Sequence, residues 1–382
     1  MADFAADATQ ARLLEIEESL RARGKDVALF LVYDRPSRAV ERPGLARTYF
    51  AERCVSDEQL DNMLVAFREI GAYAELLGGE QAFITALATG HIDRVRRPLS
   101  IVYNGVGWGI GAEGFEPGRK ALIPAVADSY RLLCTGSDPY VSGLAANKFH
   151  SFLILRALGV PVAPIWHFDF ARGWIGPRPS QGLKVIVKST YEAWSVGVTQ
   201  DSVFVVDSSC DTRVEVISRK IGQPVTVQEF IPGTEVSIPV ISCPELHVLP
   251  PMQQILKRAP GDPNAFTTVD DSLHRGVSFA RLGGAPGLLT ELYQSTAQIF
   301  NLLGMRALGR IDFRVDEHKR PWVTDVAIEP GWGRRSSAFA SFAELGFDYT
   351  SFLRLSAAMT LAWAGILPGS GTDHVEASIG DA

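Results

Sequence analysis

The segment LGRIDFRVDEHKRPWVTDVAIEPGWGRRSS (residues 308–337) alternates polar and apolar side chains twice, on either side of the polar residues 317–320. Such alternation is typical of half-buried β-strands. The pattern therefore predicts a β-hairpin that turns at 317–320. In that register Asp312 faces Asp325, and Arg310 faces Ala327.

The two facing acids point to a bound cation. Directly opposed side chains in an antiparallel pair have Cβ atoms ~4.5–5.5 Å apart, and like charges there are destabilising. A cation between Asp312 and Asp325 would remove the repulsion, and two carboxylates that share it with phosphate oxygens describe Mg²⁺, with Mn²⁺ as the alternative. An exposed face on which Arg310, Asp312, Arg314 and Asp316 alternate in charge explains the hairpin equally well.

Bulk composition restricts the class of protein. A chain of 382 residues, 46% hydrophobic and 21% charged, predicts a globular protein of two or three domains. The net charge of −6 argues against nucleic acid or an anionic membrane as the main partner. No apolar run reaches the ~18–20 residues of a membrane helix, and residues 1–20 lack the features of a secretory signal.

Cysteine and histidine spacing supports the same classification. The four cysteines are far apart and form no CxxC motif, which favours reduced thiols in a cytoplasmic protein. The seven histidines include no HExxH or other zinc spacing, so a transition-metal site is not expected.

The remaining patterns predict an alternation of helices and strands. Helical periodicity occurs at 9–23, 57–78, 145–159, 286–304 and about 349–365. Strands are predicted at 26–34, 98–104, 183–200 (strand, loop, strand), 225–242 (two strands joined at Pro232-Gly233) and 307–329. The strand–helix–strand order predicts an α/β N-terminal domain, and the polar tail from Pro368 is expected to be disordered.

Two glycine-containing loops were candidates for nucleotide contact. GWGIGAEG has a formal GxGxxG at Gly109, Gly111 and Gly114, but it lacks the early βαβ unit and the acid ~20 residues on that a dinucleotide site needs; a ligand-covering loop is favoured. Lys188 ends an apolar strand before a small-residue loop, which suits a polyphosphate. A lysine reaching solvent beside an ordinary loop is the alternative.

Taken in order, these features resemble the ATP-grasp superfamily, and within it the D-alanine–D-alanine ligase family, from about Leu99 to Leu367. The similar segments are TGSDPYVSGLAANKFHSFLILRALGVPVAP (135–164), EAWSVGV (192–198), LGRIDFRVD (308–316) and PGWGRRSS (330–337). The resemblance implies a mixed α/β (α+β) ATP-grasp fold whose two ATP-grasp subdomains enclose the nucleotide. Its expected parts are an N-terminal α/β substrate-side domain (1–144), a central subdomain (145–228), a C-terminal subdomain with the metal site (229–367) and a flexible tail (368–382).

The resemblance also implies roles for individual residues. Those expected around ATP are Lys148 and Lys188 on the α/β phosphates, Gln228 near the adenine amino group, the Phe230–Ile231 backbone on the ring edge, Glu235 near the ribose, and Glu192 and Glu229 beside them. Ser195 would belong to the loop that closes over the γ-phosphate, and Arg310 would stabilise the transferring phosphoryl group. Asp312 and Asp325 would bind Mg²⁺, while Gly331, Arg334, Arg335 and Ser336 would contact the substrates.

The sequence departs from the family pattern at the metal site. The family has an asparagine ligand where Ala327 stands, and an alanine methyl group cannot bind Mg²⁺. Glu329 lies two residues further along the same strand face and is the candidate replacement. A weaker second metal ion is the alternative.

Further departures concern the substrate. The family's histidine in the N-terminal glycine loop is absent, and Gly107 or Trp108 stands in that region. The acid that the family has in its first strand–loop is not evident in VYDRPSRAV (32–40), and the family's lysine–tyrosine pair is not recognisable in AFTTVDDSLHRGVSF (265–279). Trp194 stands where the family has a serine. In the family the histidine, the acid and the lysine–tyrosine pair hold D-alanine and the γ-phosphate, while Trp194 reshapes the loop. ATP chemistry is therefore better supported than D-alanine as the substrate.

The prediction is an ATP-dependent carboxylate–amine ligase of specialised metabolism that forms a dipeptide-like amide through an acyl phosphate. Its partners would be small carboxylates and amines, and relatives imply a homodimer. Two alternatives stay open: an authentic D-alanine–D-alanine ligase with drifted motifs, and a nucleotide-binding regulator without turnover. Arg334 and Arg335 are equally well explained as exposed arginines.

Overall fold

A computed structural model describes residues 2–35, 56–105, 110–111, 114–115, 118–193, 195–284 and 286–367. The predictions that concern Gly107, Trp108, Gly109, Trp194 and the tail from Pro368 lie outside these residues. Within them, no helix combines the length and apolar character that crossing a bilayer requires.

A parallel four-stranded sheet in the order β2-β1-β3-β6 forms the N-terminal part. Strands β1 and β3 are buried along their whole length because helices cover both faces, which explains their continuous apolar sequences. The elements of this part are α1 (Ala2–Ala22), β1 (Val27–Val32), α2 (Asp57–Arg68), β2 (Tyr73–Gly78), α3 (Glu80–Ala88), α4 (His91–Val95), β3 (Leu99–Asn104), β4 (Ile110–Gly111), β5 (Gly114–Phe115), α5 (Leu122–Ser129) and β6 (Leu133–Cys134).

The helix predicted over 57–78 is wrong in its second half. The helix ends at Arg68, and Gly71 then adopts φ +85°, a conformation that favours glycine. The chain continues as β2, which pairs with β1 in parallel. Apolar residues in 73–78 had been assigned to a helical face, although they serve a buried strand.

An antiparallel five-stranded sheet in the order β10-β9-β11-β7-β8 forms the middle part. Its elements are α6 (Pro139–Ala146), α7 (Lys148–Ala157), β7 (Ile165–Asp169), β8 (Gly173–Ile175), β9 (Lys184–Ser189), β10 (Val203–Val205), α8 (Cys210–Ile221) and β11 (Val225–Glu229). The helix predicted from residue 145 is thus two helices that meet at Asn147. The Asn147 side chain caps α7 by accepting a hydrogen bond from the His150 backbone N–H at 3.0 Å.

A six-stranded sheet, with β15-β14-β12-β16-β17 in order and β13 paired to β12, forms the C-terminal part. Its elements are β12 (Thr234–Ser242), β13 (Leu246–Val248), β14 (Met252–Leu256), α9 (Val269–Leu273), β15 (Val277–Arg281), α10 (Pro286–Leu303), β16 (Leu308–Val315), β17 (Pro321–Ala327), α11 (Ser337–Glu344) and α12 (Tyr349–Trp363). The two strands predicted in 225–242 therefore exist, but they belong to different sheets. Residues 230–233 cross between those sheets.

The hairpin predicted from the alternation is confirmed. β16 and β17 pair antiparallel with Asp312 opposite Asp325 and Arg310 opposite Ala327. A bulge follows Asp312, so the remaining pairs towards the turn shift by one residue.

Helix α12 ties the C-terminal part to the N-terminal part. Its buried Arg354 donates to the backbone carbonyl of Ala66 at 2.8 Å and forms ion pairs with Glu69 at 2.8 Å and Glu17 at 3.4 Å. These contacts reach both α1 and α2. The N-terminal part is thereby held against α12.

Candidate functional site

A cavity of about 240 Å³ lies between the middle and C-terminal sheets. It brings together nearly all the residues that the sequence singled out. They are Lys148, Lys188, Glu192, Ser195, Gln228, Glu229, Phe230, Ile231, Glu235, Arg310, Asp312, Asp325, Gly331, Arg335 and Ser336. These residues come from separate stretches of the chain, and only the packing of the two sheets makes them neighbours.

Lys188 lines the cavity. Its ammonium donates to Gln228 Oε1 at 3.0 Å and to the Thr324 backbone carbonyl at 3.2 Å. Burial lowers the pKa of Lys188 to about 8, although the nearby Asp325 carboxylate opposes the shift. Among the described residues, the buried Gln228 Nε2 has no hydrogen-bond acceptor. A ligand with a negative charge near Lys188 and a hydrogen-bond acceptor near Gln228 Nε2 would satisfy both side chains.

Lys148 approaches the same space from the start of α7. Its ammonium donates to the Glu192 backbone carbonyl at 2.7 Å and pairs with Asp325 Oδ1 at 3.1 Å. Burial alone would raise the pKa of Asp325, but Lys148, Arg310 and Lys188 together lower it below its ordinary value. Asp325 is therefore held as a carboxylate.

Arg310 and Asp312 form a two-pronged ion pair on β16. Arg310 Nε donates to Asp312 Oδ1 and its Nη2 donates to Oδ2, both at 2.7 Å. Burial would lower the pKa of Arg310, but Asp312 and Asp325 outweigh burial and raise it, which keeps the guanidinium charged. Asp312 and Asp325 offer a hard divalent cation two opposed carboxylates, so this donor set fits Mg²⁺.

Glu329 does not join these carboxylates. No group of three or more His, Cys, Asp or Glu side chains suited to a metal ion comes together within the described part of the chain. Glu329 Oε1 instead accepts a hydrogen bond from Asn104 Nδ2, at the end of β3. The prediction of Glu329 as a replacement metal ligand is therefore not supported by its position, because β17 ends at Ala327 before Glu329 is reached.

One end of the cavity is aromatic and cationic. The Phe230 ring meets the Phe266 ring edge-on, with centroids 6.0 Å apart, and has Lys184 Nζ at 4.7 Å and the Arg314 guanidinium at 4.8 Å from its centroid. Arg314 is buried and donates to the backbone carbonyls of three residues, Gly233, Pro263 and Ala265, each at 2.9 Å. An exposed hairpin face had been an alternative in the sequence; burial of Arg314 excludes it.

The crossing between the sheets shapes the same end. The Phe230 backbone N–H already donates to the Lys184 carbonyl at 2.9 Å. The Phe230 carbonyl is therefore the backbone group that could contact the edge of a bound nucleobase. Glu235, at the start of β12, accepts from Gln254 Nε2 at 3.0 Å and from Thr267 Oγ1 at 3.3 Å. Sequence reasoning did not find Gln254 or Thr267, since neither belongs to a recognisable motif.

The start of α11 also lines the cavity. Ser336 is the N-cap of this helix, and its Oγ accepts from the Phe339 backbone N–H at 3.1 Å. Arg335 also lines the cavity, whereas Arg334 does not; its guanidinium lies 4.1 Å from the centroid of the Tyr349 ring. The prediction of Arg334 as a substrate ligand is therefore not supported by its position.

Described residues of the loop after β9 line the cavity. Ser195 has φ +58°, which is uncommon for a residue other than glycine, and its carbonyl accepts from the Val198 N–H at 2.9 Å. Gly197 (φ +78°) packs against Ile221, where an added Cβ would come within 2.4 Å of the side chain. This part of the loop thus has a defined conformation, with Ser195 on the cavity wall.

A smaller cavity of about 80 Å³ adjoins the first, and Lys148, Ala193, Asp325 and Gly331 line both. We call it the inner cavity. Besides the shared residues, its polar groups include Asn104, Lys120, Thr135 and Glu329, from the N-terminal part and the end of the hairpin. Burial raises the pKa of Glu329 to about 8, with Lys120 and Asn104 opposing the shift. Sequence reasoning missed Asn104 and Lys120 because no local pattern marks them.

Comparison with known proteins was made at three levels. A family model described as "D-ala D-ala ligase C-terminus" matches residues 154–355. Among curated proteins, a D-alanine–D-alanine ligase of a Synechococcus species is 23% identical over 245 residues, covering 62% of this chain and 70% of the relative. A D-alanine–D-alanine ligase of Methylococcus capsulatus is 24% identical over 303 residues, covering 78% of this chain and 89% of the relative.

Among solved structures, D-alanine–D-alanine ligase from Bacillus anthracis complexed with ATP is similar in fold. It aligns with a TM-score of 0.58 and 14% identity, covering 88% of this chain and 97% of the ligase. This structural neighbour has the ATP-grasp fold, and the mixed helix–sheet architecture predicted from the sequence is that of this neighbour.

Proposed function

The chain belongs to the D-ala D-ala ligase C-terminal family, whose model matches more than half of its residues, and from this premise we propose that it joins a carboxylate to an amine through an acyl phosphate at the expense of ATP. Its class is that of ATP-dependent ligases that form carbon–nitrogen bonds. The donor, whose carboxylate is activated, would differ from D-alanine, and the amine would attack the activated carboxyl group.

One observation carries the proposal. A single cavity contains two buried lysines, the Arg310–Asp312 ion pair and Asp325, next to an aromatic end formed by Phe230 and Phe266. Three cations around two carboxylates suit a polyphosphate with its metal ion, and the aromatic end suits a nucleobase. The buried Gln228 amide nitrogen, which lacks an acceptor among the described residues, supplies a donor for such a ligand.

In the first step, Lys148 and Lys188 would hold the phosphates of ATP while the donor carboxylate attacks the γ-phosphorus. The product of this step is an acyl phosphate, with ADP as the leaving group. Asp312 and Asp325 would hold Mg²⁺, which when bound neutralises phosphate oxygens. Arg310 would stabilise the charge that develops on the transferring phosphoryl group, because a planar guanidinium donates several fixed hydrogen bonds.

In the second step, the amine substrate would attack the acyl carbon and expel phosphate, giving an amide. Ser336 and Arg335 lie at the end of the cavity where α11 begins, and the positive end of this helix dipole favours a carboxylate there. The amine substrate would therefore carry its own carboxylate, as an amino acid does. Holding both reactants in one closed space converts their encounter into an intramolecular reaction.

The assay is ADP release across a matrix of amino acids and small carboxylates, with product masses measured for each active pair. The proposal expects ADP release, and a mass equal to the two substrates minus water, for a pair other than D-alanine with itself. Rapid ADP release with D-alanine alone would support an authentic D-alanine–D-alanine ligase instead. If ATP raises the melting temperature but no pair releases ADP, the ligase proposal fails and a nucleotide-binding regulator is favoured.

A further inference from the structure

The inner cavity is lined by both polar and apolar side chains. Glu329 and Lys120 both line it, one from the end of the hairpin and one from the short helical turn before α5. Tyr103 and Trp332 form part of the apolar wall, and their rings meet edge-on with centroids 5.6 Å apart. A carboxyl group and an amine thus share a small space that adjoins the first cavity through shared lining residues.

Glu329 is held in a defined orientation. Asn104 donates to its Oε1, and Asn104 is itself buried, with 4% of its surface exposed. On the other side Gly136 packs against the Glu329 side chain, where an added Cβ would lie 3.0 Å from both Cγ and Oε1. Among the described residues, Oε1 alone receives a hydrogen bond, so Oε2 is available to accept one from a ligand.

Lys120 lines the inner cavity together with Lys148 and Asp325. Burial is the main cause that lowers the pKa of Lys120, and the ammonium of Lys148 lowers it further. The nearby acids Glu192, Glu329 and Asp325 oppose this shift. Two lysines side by side are stabilised when an anion lies between them. The anion that the proposed reaction brings to this boundary is the donor carboxylate on its way to the γ-phosphate.

These positions define the two ends of the donor substrate. Its reacting carboxylate has to lie at the boundary of the two cavities, where Lys120, Lys148 and Asp325 meet. A group bonded a few atoms behind that carboxylate would then reach Glu329. A protonated amine beside the buried Glu329 carboxyl group favours its charged form and donates a charge-assisted hydrogen bond to it, whereas a neutral or anionic group gives no such compensation.

Resting on the proposed ligase activity, we propose that Glu329 and Lys120 are the donor-specificity residues: Glu329 binds the ammonium group of an amino-acid donor, and Lys120 binds its carboxylate. Simple carboxylic acids and hydroxy acids of the same size are poor donors because they lack the ammonium group. Asn104 is a positioning residue that orients the Glu329 carboxylate.

A role as a structural link between the N-terminal part and the hairpin makes different predictions. A link would affect stability and both substrates alike. A specificity residue affects the donor alone, and it affects donors with an amino group more than donors without one. The KM for the donor, measured separately from kcat and from the KM for ATP, therefore separates the two roles.

The experiment compares wild-type protein with Glu329→Gln, Glu329→Asp and Lys120→Met, using ADP release with matched donor pairs such as an amino acid and its des-amino carboxylic acid. Glu329→Gln keeps the shape and removes the charge. We expect a rise in the KM for the amino-acid donor of about 10- to 100-fold, the range for a hydrogen bond to a charged group. The KM for ATP should change little, and Glu329→Asp should retain part of the affinity.

Glu317→Gln is the matched control, since Glu317 is an exposed acid in the turn of the same hairpin with 88% of its side chain exposed. Melting temperatures of all variants identify any loss of folding, and Glu329→Asp covers the case in which Glu329→Gln is unstable. Lys120→Met should weaken amino-acid and des-amino donors by similar factors, because both carry the carboxylate.

Two results would overturn the inference while leaving the ligase activity intact. One is a wild-type protein that uses the des-amino acid as well as the amino acid; the other is a Glu329→Gln variant with an unchanged donor KM. If no pair releases ADP, the proposed function fails, and calorimetry with amino acids and a non-hydrolysable ATP analogue still decides the inference. Amino-acid binding that Glu329→Gln weakens would then support it, and equal binding would refute it.

Discussion

Replacing Lys188 with methionine should stabilise the ligand-free protein while removing ATP binding. The ammonium is buried between the sheets, and burial lowers the pKa of Lys188 from 10.5 to about 8. At 1.36 kcal/mol per pKa unit, holding the charged form in the folded state costs about 3 kcal/mol relative to the unfolded chain. Methionine has a similar length and no charge, so it removes this cost.

The hydrogen bonds that Lys188 makes reduce the gain in stability expected for Lys188→Met. Gln228 Oε1 and the Thr324 carbonyl each lose a donor, at about 1 kcal/mol apiece. The variant should therefore be more stable than wild type at pH 7 by about 1 kcal/mol, the difference between the two contributions. A binding residue that destabilises the empty protein is expected where a site is prepared for a polyanion.

The pH dependence provides a sharper test of the cause. Because the folded pKa of Lys188 lies below the unfolded value, the unfolded chain binds more protons between about pH 8 and pH 10.5. The penalty is fully present below pH 8 and disappears as the pH rises through this window. The advantage of the variant over wild type should thus fall by more than about 2 kcal/mol between pH 7 and pH 10.

Urea denaturation of wild type, Lys188→Met and the control Lys220→Met at both pH values measures these differences. Lys220 is an exposed lysine on α8, so its removal should change stability little at either pH. The shift in melting temperature with ATP should disappear in Lys188→Met and persist in the control. A variant more than about 2 kcal/mol less stable than wild type at pH 7, or a difference that does not depend on pH, would refute the reasoning.

Three further predictions follow from the same geometry. A lysine in Arg310→Lys cannot keep both 2.7 Å contacts with Asp312. The kcat should therefore fall about 100-fold or more, while ATP should still raise the melting temperature. An equal loss of ATP binding would contradict a role in phosphoryl transfer. Ala327→Asn adds a carboxamide oxygen opposite Arg310 and should lower the Mg²⁺ concentration for half-maximal rate several-fold; an unchanged Mg²⁺ titration would count against a ligand at this position. Phe230→Ala removes the ring that contacts Phe266, Lys184 and Arg314. In urea denaturation this variant should lose about 3–5 kcal/mol of unfolding free energy, and calorimetry should show weaker ATP binding. An unchanged ATP affinity would place the nucleobase elsewhere.

The parts of the fold that the sequence predicts well are those with local causes. Alternation and a polar turn determine the register of the hairpin, and the pairing of Asp312 with Asp325 follows from them. The continuous apolar runs of β1 and β3 likewise predict buried strands, because both faces of that sheet are covered. In both cases the neighbouring residues along the chain carry the necessary information.

The parts that the sequence does not predict depend on distant contacts. Tyr73–Gly78 becomes a strand because β1 offers it a parallel partner, although its apolar residues also match a helical face. Arg314 alternates with Arg310 and Asp312 as an exposed residue would, but the crossing between the sheets buries it under Gly233, Pro263 and Ala265. Neither outcome has a local signal.

Glu329 shows where reasoning from alternation stops. The rule that residues two apart share a face holds only while the chain stays in the pleated, hydrogen-bonded strand, and β17 ends at Ala327. Asp325 lies within the strand and faces Asp312, whereas Glu329 lies beyond its end and reaches Asn104 of the N-terminal part. The acid that appeared to replace a metal ligand therefore faces the inner cavity. Since Asp325 lines both cavities, the strand end itself separates the groups that would act on the phosphate from those that would select the donor.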